Sequence, residues 1–174
     1  MNISNQGIKI LKQLEGCVKN GDKHIIYDDQ TGKAVPANAP LPPGATIGYG
    51  HLIKTGENFA GGITEARATE ILRADIAVAE RAVQNNITVP ISQNKYDALV
   101  MLAYNIGAKN FANSTVVKYI NNPNFHSRKY PTLADAWRAW NKSGGRVMPG
   151  LVRRRDKEWQ IFQMPYLTYL LRMI

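Results

Sequence analysis

The stretch from residue 17 to residue 63 cannot be continuous helix. It is dense in glycine, proline, asparagine and aspartate, and sequence with helical periodicity flanks it on both sides. Pro36, Pro40, Pro42 and Pro43 all fall between Ala34 and Gly44. Ring-locked φ angles and missing N–H groups rule out regular structure there. Two β-prone pieces, His24-Ile25-Ile26-Tyr27 and Ala45-Thr46-Ile47-Gly48-Tyr49, bracket that stretch. The segment reads as a small β lobe with long loops, its proline-rich part a surface excursion between two strands.

Ahead of it, Ser4 can cap a helix whose apolar stripe is Ile8, Ile10, Leu11 and Leu14, with Gly16 as its stop. Glu15 then falls on or beside the buried face, an unusual place for a carboxylate. After it, Thr64 caps a helix of about twenty residues, long enough to connect two lobes. Ile71, Ile76, Ala79 and Val83 give that helix partial apolar periodicity. Pro90 breaks the chain and Ser92 caps the next helix, where Tyr96, Leu99, Val100 and Ala103 form a stripe ended by Gly107. Shorter helices are predicted from Ser114 to Asn121 and from Thr132 to Asn141, the second with Trp137 and Trp140 on one face. Gly144-Gly145 opens a loop, and a last helix runs from Pro149 to Gln163. The tail from Pro165 to Ile174 is apolar enough to pack back on the body.

These elements predict an α+β, mostly helical fold in a single domain, residues 1–174. It has a small β lobe at about 17–63 and a helical lobe over 64–174 joined by the N-terminal helix 4–15. A cleft between the lobes would be the natural site.

The 174 residues carry a net charge of +9, which favours polyanionic partners: nucleic acid, anionic lipid or a bacterial envelope. Cys17 is the one cysteine, so no intramolecular disulfide can form, and it reads as a small buried residue. Met1 to Gly7 lack a basic stretch followed by an apolar run, which predicts synthesis in the cytoplasm without a signal peptide. No uninterrupted apolar stretch is long enough to span a bilayer.

Few residues can carry chemistry. His24, His51 and His126 have no metal-ligand spacing, and no glycine fingerprint, Walker loop or nucleophile elbow occurs, so neither a metal nor a cofactor is expected. What remains is Glu15, and Asp28-Asp29 at the end of a predicted strand. Two carboxylates flanking a cleft are the working parts of glycoside hydrolysis. One must give a proton to the leaving oxygen, and a carboxyl against an apolar surface keeps its proton more readily. Glu15, set against Leu11 and Ile8, suits that task, and a loop aspartate in a wet setting suits the ionised partner. Spacing alone leaves open a helix-end glutamate paired with an arginine and a turn at Asp28-Asp29.

The order of motifs resembles the phage-type lysozymes, the muramidase endolysins of glycoside hydrolase family 24. Leu14-Glu15-Gly16 is similar to the family's Glu-Gly after the first helix. Tyr27-Asp28-Asp29-Gln30-Thr31-Gly32 follows its Tyr-x-Asp-x-x-Gly, and Thr46-Ile47-Gly48-Tyr49-Gly50-His51 its Thr-Ile-Gly-x-Gly-His. Ala98-Leu99-Val100 with Tyr104-Asn105-Ile106-Gly107, then Trp140-Asn141, then Gly150-Leu151 with Arg154-Arg155, extend the likeness over residues 4–160.

The resemblance implies a lysozyme-like two-lobe fold and a catalytic set of Glu15, Asp29 and Thr46. Its expected action is inverting hydrolysis of the β-1,4 bond between N-acetylmuramic acid and N-acetylglucosamine. A threonine hydroxyl can donate to and accept from the attacking water. The resemblance also pairs His51 with Asp75 in a structural role and brings Arg146 toward Glu15, the other reading of Arg146 being a solvated loop residue. It assigns Asn105 a hydrogen bond to the sugar, the other reading being a helix-end cap. Arg153-Arg154-Arg155 spread around a helix, so one or two are expected in internal ion pairs. Gly48 and Gly50 are expected to shape the sheet beneath Thr46. The 14 positions from Glu15 to Asp29, and the proline-rich insertion before Thr46, depart from the most compact members.

The implied partner is peptidoglycan, acted on in the periplasm or cell wall after release by a holin. The enzyme is expected to be a monomer that binds no nucleic acid and whose basic surface can meet an anionic outer membrane. The competing readings are a lytic transglycosylase on the same bond, a chitinase-like specificity, and a cationic protein that binds membrane or nucleic acid without catalysis.

Overall fold

The computed structural model describes residues 1–171. It groups into two compact units: Leu11–Ile76, and Met1–Ile10 together with the chain from Ala77 on. The secondary structure is α+β and mostly helical.

The first helix, α1 (Asn5–Glu15), starts where expected. The Ser4 hydroxyl accepts from Gly7 N–H at 2.9 Å and its carbonyl from Ile8 N–H. The helix stops because Gly16, at φ +68°, turns its N–H onto the Lys12 carbonyl.

The Leu11–Ile76 unit then forms two small antiparallel sheets. A hairpin joins β1 (Lys19–Asn20) to β2 (Lys23–His24). A three-stranded sheet orders β3 (Tyr27–Asp28), β4 (Ala45–Ile47) and β5 (His51–Leu52), with Tyr27 opposite Thr46 and Ile47 opposite His51. Ala34 to Gly44 loops between β3 and β4 as expected, touching the sheet through a Tyr27–Ala34 bridge. Ala45, Ile47, Tyr49, Ile63, Leu72 and Ile76 are buried here.

A polar hub that the sequence does not announce holds this unit together. Helix α2 (Glu65–Asn86) is capped by Thr64, whose hydroxyl accepts from Arg67 N–H. The Glu65 carboxylate accepts from Lys19 Nζ at 2.8 Å, Tyr49 OH at 2.5 Å, His24 Nε2 at 2.8 Å and Lys12 Nζ at 2.9 Å. Burial pushes the Glu65 carboxyl up, and these four donors hold it well below the usual carboxylate range.

The other unit is built on α3 (Gln93–Ile106), which packs against α7 (Pro149–Gln163). Ala98 to Ala103 are all buried, so this part of the helix is enclosed on every side. Its polar residues are tied to chain ends. Asn94 Nδ2 donates to the carbonyls of Ile161, Phe162 and Met164, satisfying the end of α7. The Asp97 carboxylate accepts from Ser4 N–H at 3.0 Å, from the Ser4 hydroxyl, from Gln93 Nε2 at 2.7 Å and from Tyr169 OH at 2.6 Å. Tyr169 belongs to α8 (Tyr166–Leu171) and is buried, so the tail packs back through this residue, while Leu167 and Leu171 stay exposed. The last part of the predicted tail, 172–174, lies outside the described residues.

Between α3 and α7 come α4 (Ala108–Ala112), α5 (Thr115–Asn121) and α6 (Leu133–Arg138). Ser114 caps α5 and Thr132 caps α6 in a reciprocal box with Asp135. Arg154 and Arg155 on α7 form ion pairs with buried Glu158 at 3.0 and 2.8 Å, and Arg153 is exposed, as the helical spacing required.

Four local expectations need correction. Cys17 is exposed, because α1 ends before it and the chain leaves the core at Gly16. Ser92 precedes α3, but its hydroxyl donates to Asn94 Oδ1 and makes no side-chain cap. α6 ends at Arg138, so Trp137 is core while half-buried Trp140 lies beyond the helix. Gly144-Gly145 is the tight turn of a hairpin between β6 (Lys142–Ser143) and β7 (Arg146–Val147), both glycines having positive φ.

Candidate active site

The three residues assigned catalytic roles all lie in the Leu11–Ile76 unit. Glu15 is the last residue of α1 and is half-buried. Asp29 follows β3 and is exposed, and Thr46 is central in β4 and 3% exposed.

One backbone carbonyl links two of them. The Gly44 carbonyl accepts both the Asp29 N–H, at 3.3 Å, and the Thr46 hydroxyl, at 2.9 Å. That carbonyl fixes the hydroxyl proton of Thr46 and leaves its oxygen as an acceptor. The expectation that Thr46 would both donate and accept narrows to acceptance. On the other side, a Cβ placed on Gly50 would lie 3.6 Å from Glu15 Oε2. Gly50 has φ +91°, a conformation that side chains disfavour, so the need for glycine here lies in the backbone.

The adjacent aspartates differ in their local contacts. Asp28 Oδ1 accepts from Gln30 N–H at 2.9 Å and Oδ2 from the Thr31 hydroxyl at 3.0 Å. Asp28 thus shapes the turn that presents Asp29.

His51 pairs with Asp75 as expected, Nδ1 lying 2.8 Å from Oδ2. The sequence did not signal its second partner: Nε2 lies 3.0 Å from Glu57 Oε2. Lys54 N–H and the His51 ring hold the Glu57 carboxyl below its usual range. His51 therefore clamps β5 to the following loop and to α2. The expected result for His51→Asn is a melting temperature lowered by several degrees, through loss of one or two hydrogen bonds of about 1–3 kcal/mol each, with turnover little changed. Thermal denaturation beside a wall-clearing assay checks this, and a large loss of turnover at unchanged melting would contradict it.

Two assigned residues lie in the other unit. Asn105 is exposed, and its Oδ1 accepts from Arg155 Nη2 at 2.8 Å, an anchorage different from the helix-end cap. Arg146 is exposed in the β6–β7 hairpin. Among the described residues no group of histidine, cysteine, aspartate or glutamate could hold a metal ion, and no helix is long and apolar enough to cross a membrane.

Similarity to known proteins runs through this same region. A family model described as phage lysozyme matches residues 12–158. The endolysin of Salmonella phage P22 is 36% identical over 165 residues, covering 93% of this chain and 98% of that protein. The endolysin of Bacillus phage B103 is 35% identical over 162 residues, covering 93% of this chain, which spans 54% of that longer relative. Among solved structures, the muramidase domain of SpmX from Asticaccaulis excentricus superposes with a TM-score of 0.71 at 27% identity, covering 94% of this chain and 99% of that one.

Proposed function

This chain belongs to the phage lysozyme family, and we propose that it is an endolysin that hydrolyses the β-1,4 bond between N-acetylmuramic acid and N-acetylglucosamine in peptidoglycan. The observation that carries the reading is the shared Gly44 carbonyl, which couples Asp29 to Thr46 on the same sheet that meets Glu15 at Gly50.

In this scheme Glu15 donates a proton to the leaving glycosidic oxygen. The attacking water gives one hydrogen bond to the Asp29 carboxylate and the other to the Thr46 oxygen. Its lone pair is then free to meet the anomeric carbon from the opposite face of the ring. Asp29 takes the proton as the C–O bond forms, and the configuration inverts. A lytic transglycosylase would need no such water-holding pair, and a cationic binding protein would need none of the three residues. Asn105 is assigned to the sugar.

The same reading places its action at the cell wall, as a monomer reaching peptidoglycan after holin-dependent release. The net charge of +9 supports attraction to an anionic outer-membrane surface. The mechanism is tested by the anomer first formed, followed by proton NMR on a soluble glycan fragment. The α-anomer is expected, and initial release of the β-anomer would contradict inversion.

A further inference from the structure

The hydrolytic scheme gives no task to the proline-rich excursion between β3 and β4. In the structure that excursion walls a cavity of about 630 Å³, all of it lined from the Leu11–Ile76 unit. Ile25 and Ile26, which lead into β3, form one part of the lining. Val35, Pro36 and Leu41 form another, and Phe59 from the loop after β5 a third. Leu41 is 48% exposed.

Internal contacts set these walls. Val35 N–H donates to the Ile26 carbonyl at 2.8 Å and Ala39 N–H to the Pro36 carbonyl at 3.0 Å. Phe59 stands edge-on to His51, with ring centroids 6.1 Å apart, and Asn58 Oδ1 accepts from Ala60 N–H at 3.0 Å. A cavity already formed loses little freedom when a ligand arrives.

Two charged side chains of opposite sign complete the lining. Lys23 Nζ donates to the Gly61 carbonyl at 3.3 Å, which leaves ammonium protons for a carboxylate. Glu57 meets His51 Nε2 and Lys54 N–H, and among the described residues both contacts fall on Oε2. Oε1 is left for an incoming ammonium. Apolar walls with one cation and one anion match the peptide arm of peptidoglycan, which presents alanine methyl groups, carboxylates and the ammonium of a diamino acid. A bare glycan strand brings no cation for Glu57. The cavity also adjoins the assigned site. Asp29 follows Ile26 by three residues through β3, about 10 Å in extended chain. A peptide arm on a muramic acid held beside Asp29 covers that distance with roughly three or four residues.

We infer that the cavity beneath the proline-rich excursion is a subsite for the peptide arm of peptidoglycan, with Leu41 against its methyl groups, Lys23 on a carboxylate and Glu57 on the ammonium. This rests on the peptidoglycan reading above.

The test compares wild type with Leu41→Asp and Lys23→Glu in the full chain. Release of reducing ends is followed on soluble glycan fragments that carry peptide arms, and on the same fragments after an amidase has removed them. Both side chains are exposed, so melting temperatures close to wild type are expected. On the peptide-bearing fragments each variant should lower kcat/KM roughly 5- to 20-fold, and on the stripped fragments neither should change it. Equal kcat/KM for wild type and both variants on peptide-bearing glycan, or equal losses on both substrates, would overturn the subsite. Titration of wild type with the free stem peptide gives a second reading by NMR. Amide shifts at Val35, Ala39 and Ala60 are expected, and their absence, or the same shifts with stripped glycan alone, would overturn it. Wild type that releases no reducing ends from either substrate would remove the muramidase reading by itself. The titration would then decide the subsite, peptide-induced shifts supporting it and their absence overturning it.

Discussion

Glu15→Gln is expected to lower turnover on peptidoglycan by roughly two to four orders of magnitude, the range attributed to a positioned general acid, while the melting temperature stays near that of wild type. The amide has almost the shape of the carboxyl but cannot deliver a proton to the leaving oxygen. The side chain is half-buried at the end of α1 beside Gly50, so the replacement leaves the apolar core untouched. Lysis assays and thermal denaturation on the same preparation separate the two effects. Clearing of cells by Glu15→Gln at the wild-type rate would assign the lysis to the cationic surface and remove Glu15 from the chemistry.

The largest effect on stability is expected at Glu158, remote in sequence from all three catalytic assignments. It is fully buried, pairs with Arg154 at 3.0 Å and Arg155 at 2.8 Å, and accepts from Trp137 Nε1 at 3.1 Å. Glu158→Ala would leave two buried guanidinium groups without their counter-charge. Removing one partner of a buried ionic cluster costs about 3–5 kcal/mol, which for a chain of this size lowers the melting temperature by roughly 10 °C or more. Glu158→Gln should lie between the alanine variant and wild type, since it can still accept from Trp137 or one arginine. Equal melting of wild type and Glu158→Ala would mean that water or rearranged side chains replace the carboxylate without loss.

What could be read in the sequence was local. Ser4 and Gly16 fix the ends of α1 through contacts three or four residues away, and Thr64 and Thr132 act the same way. The proline-rich excursion was equally plain, since missing N–H groups are a property of the residues themselves. The candidate site was less legible. Spacing alone left Asp28 and Asp29 equivalent, and only the family motif separated them. In the structure Asp28 is engaged in a turn with Gln30 and Thr31.

Contacts made by tertiary convergence left no periodic trace. Glu65 gathers Lys12, Lys19, His24 and Tyr49 from separate segments, and Glu57 reaches His51 across a turn. The Gly44 carbonyl became part of the site only when β3 and β4 paired. Cys17 failed for a similar reason: its type favours burial, but the chain path after Gly16 decides its exposure.

The central claim, a hydrolytic muramidase with Glu15 as its acid, is tested most directly by mass spectrometry of the fragments released from purified peptidoglycan by wild type and by Glu15→Gln. The account predicts fragments that end in reducing N-acetylmuramic acid from wild type, and none from the variant. Anhydro-muramic ends, or equal release by both proteins, would contradict it.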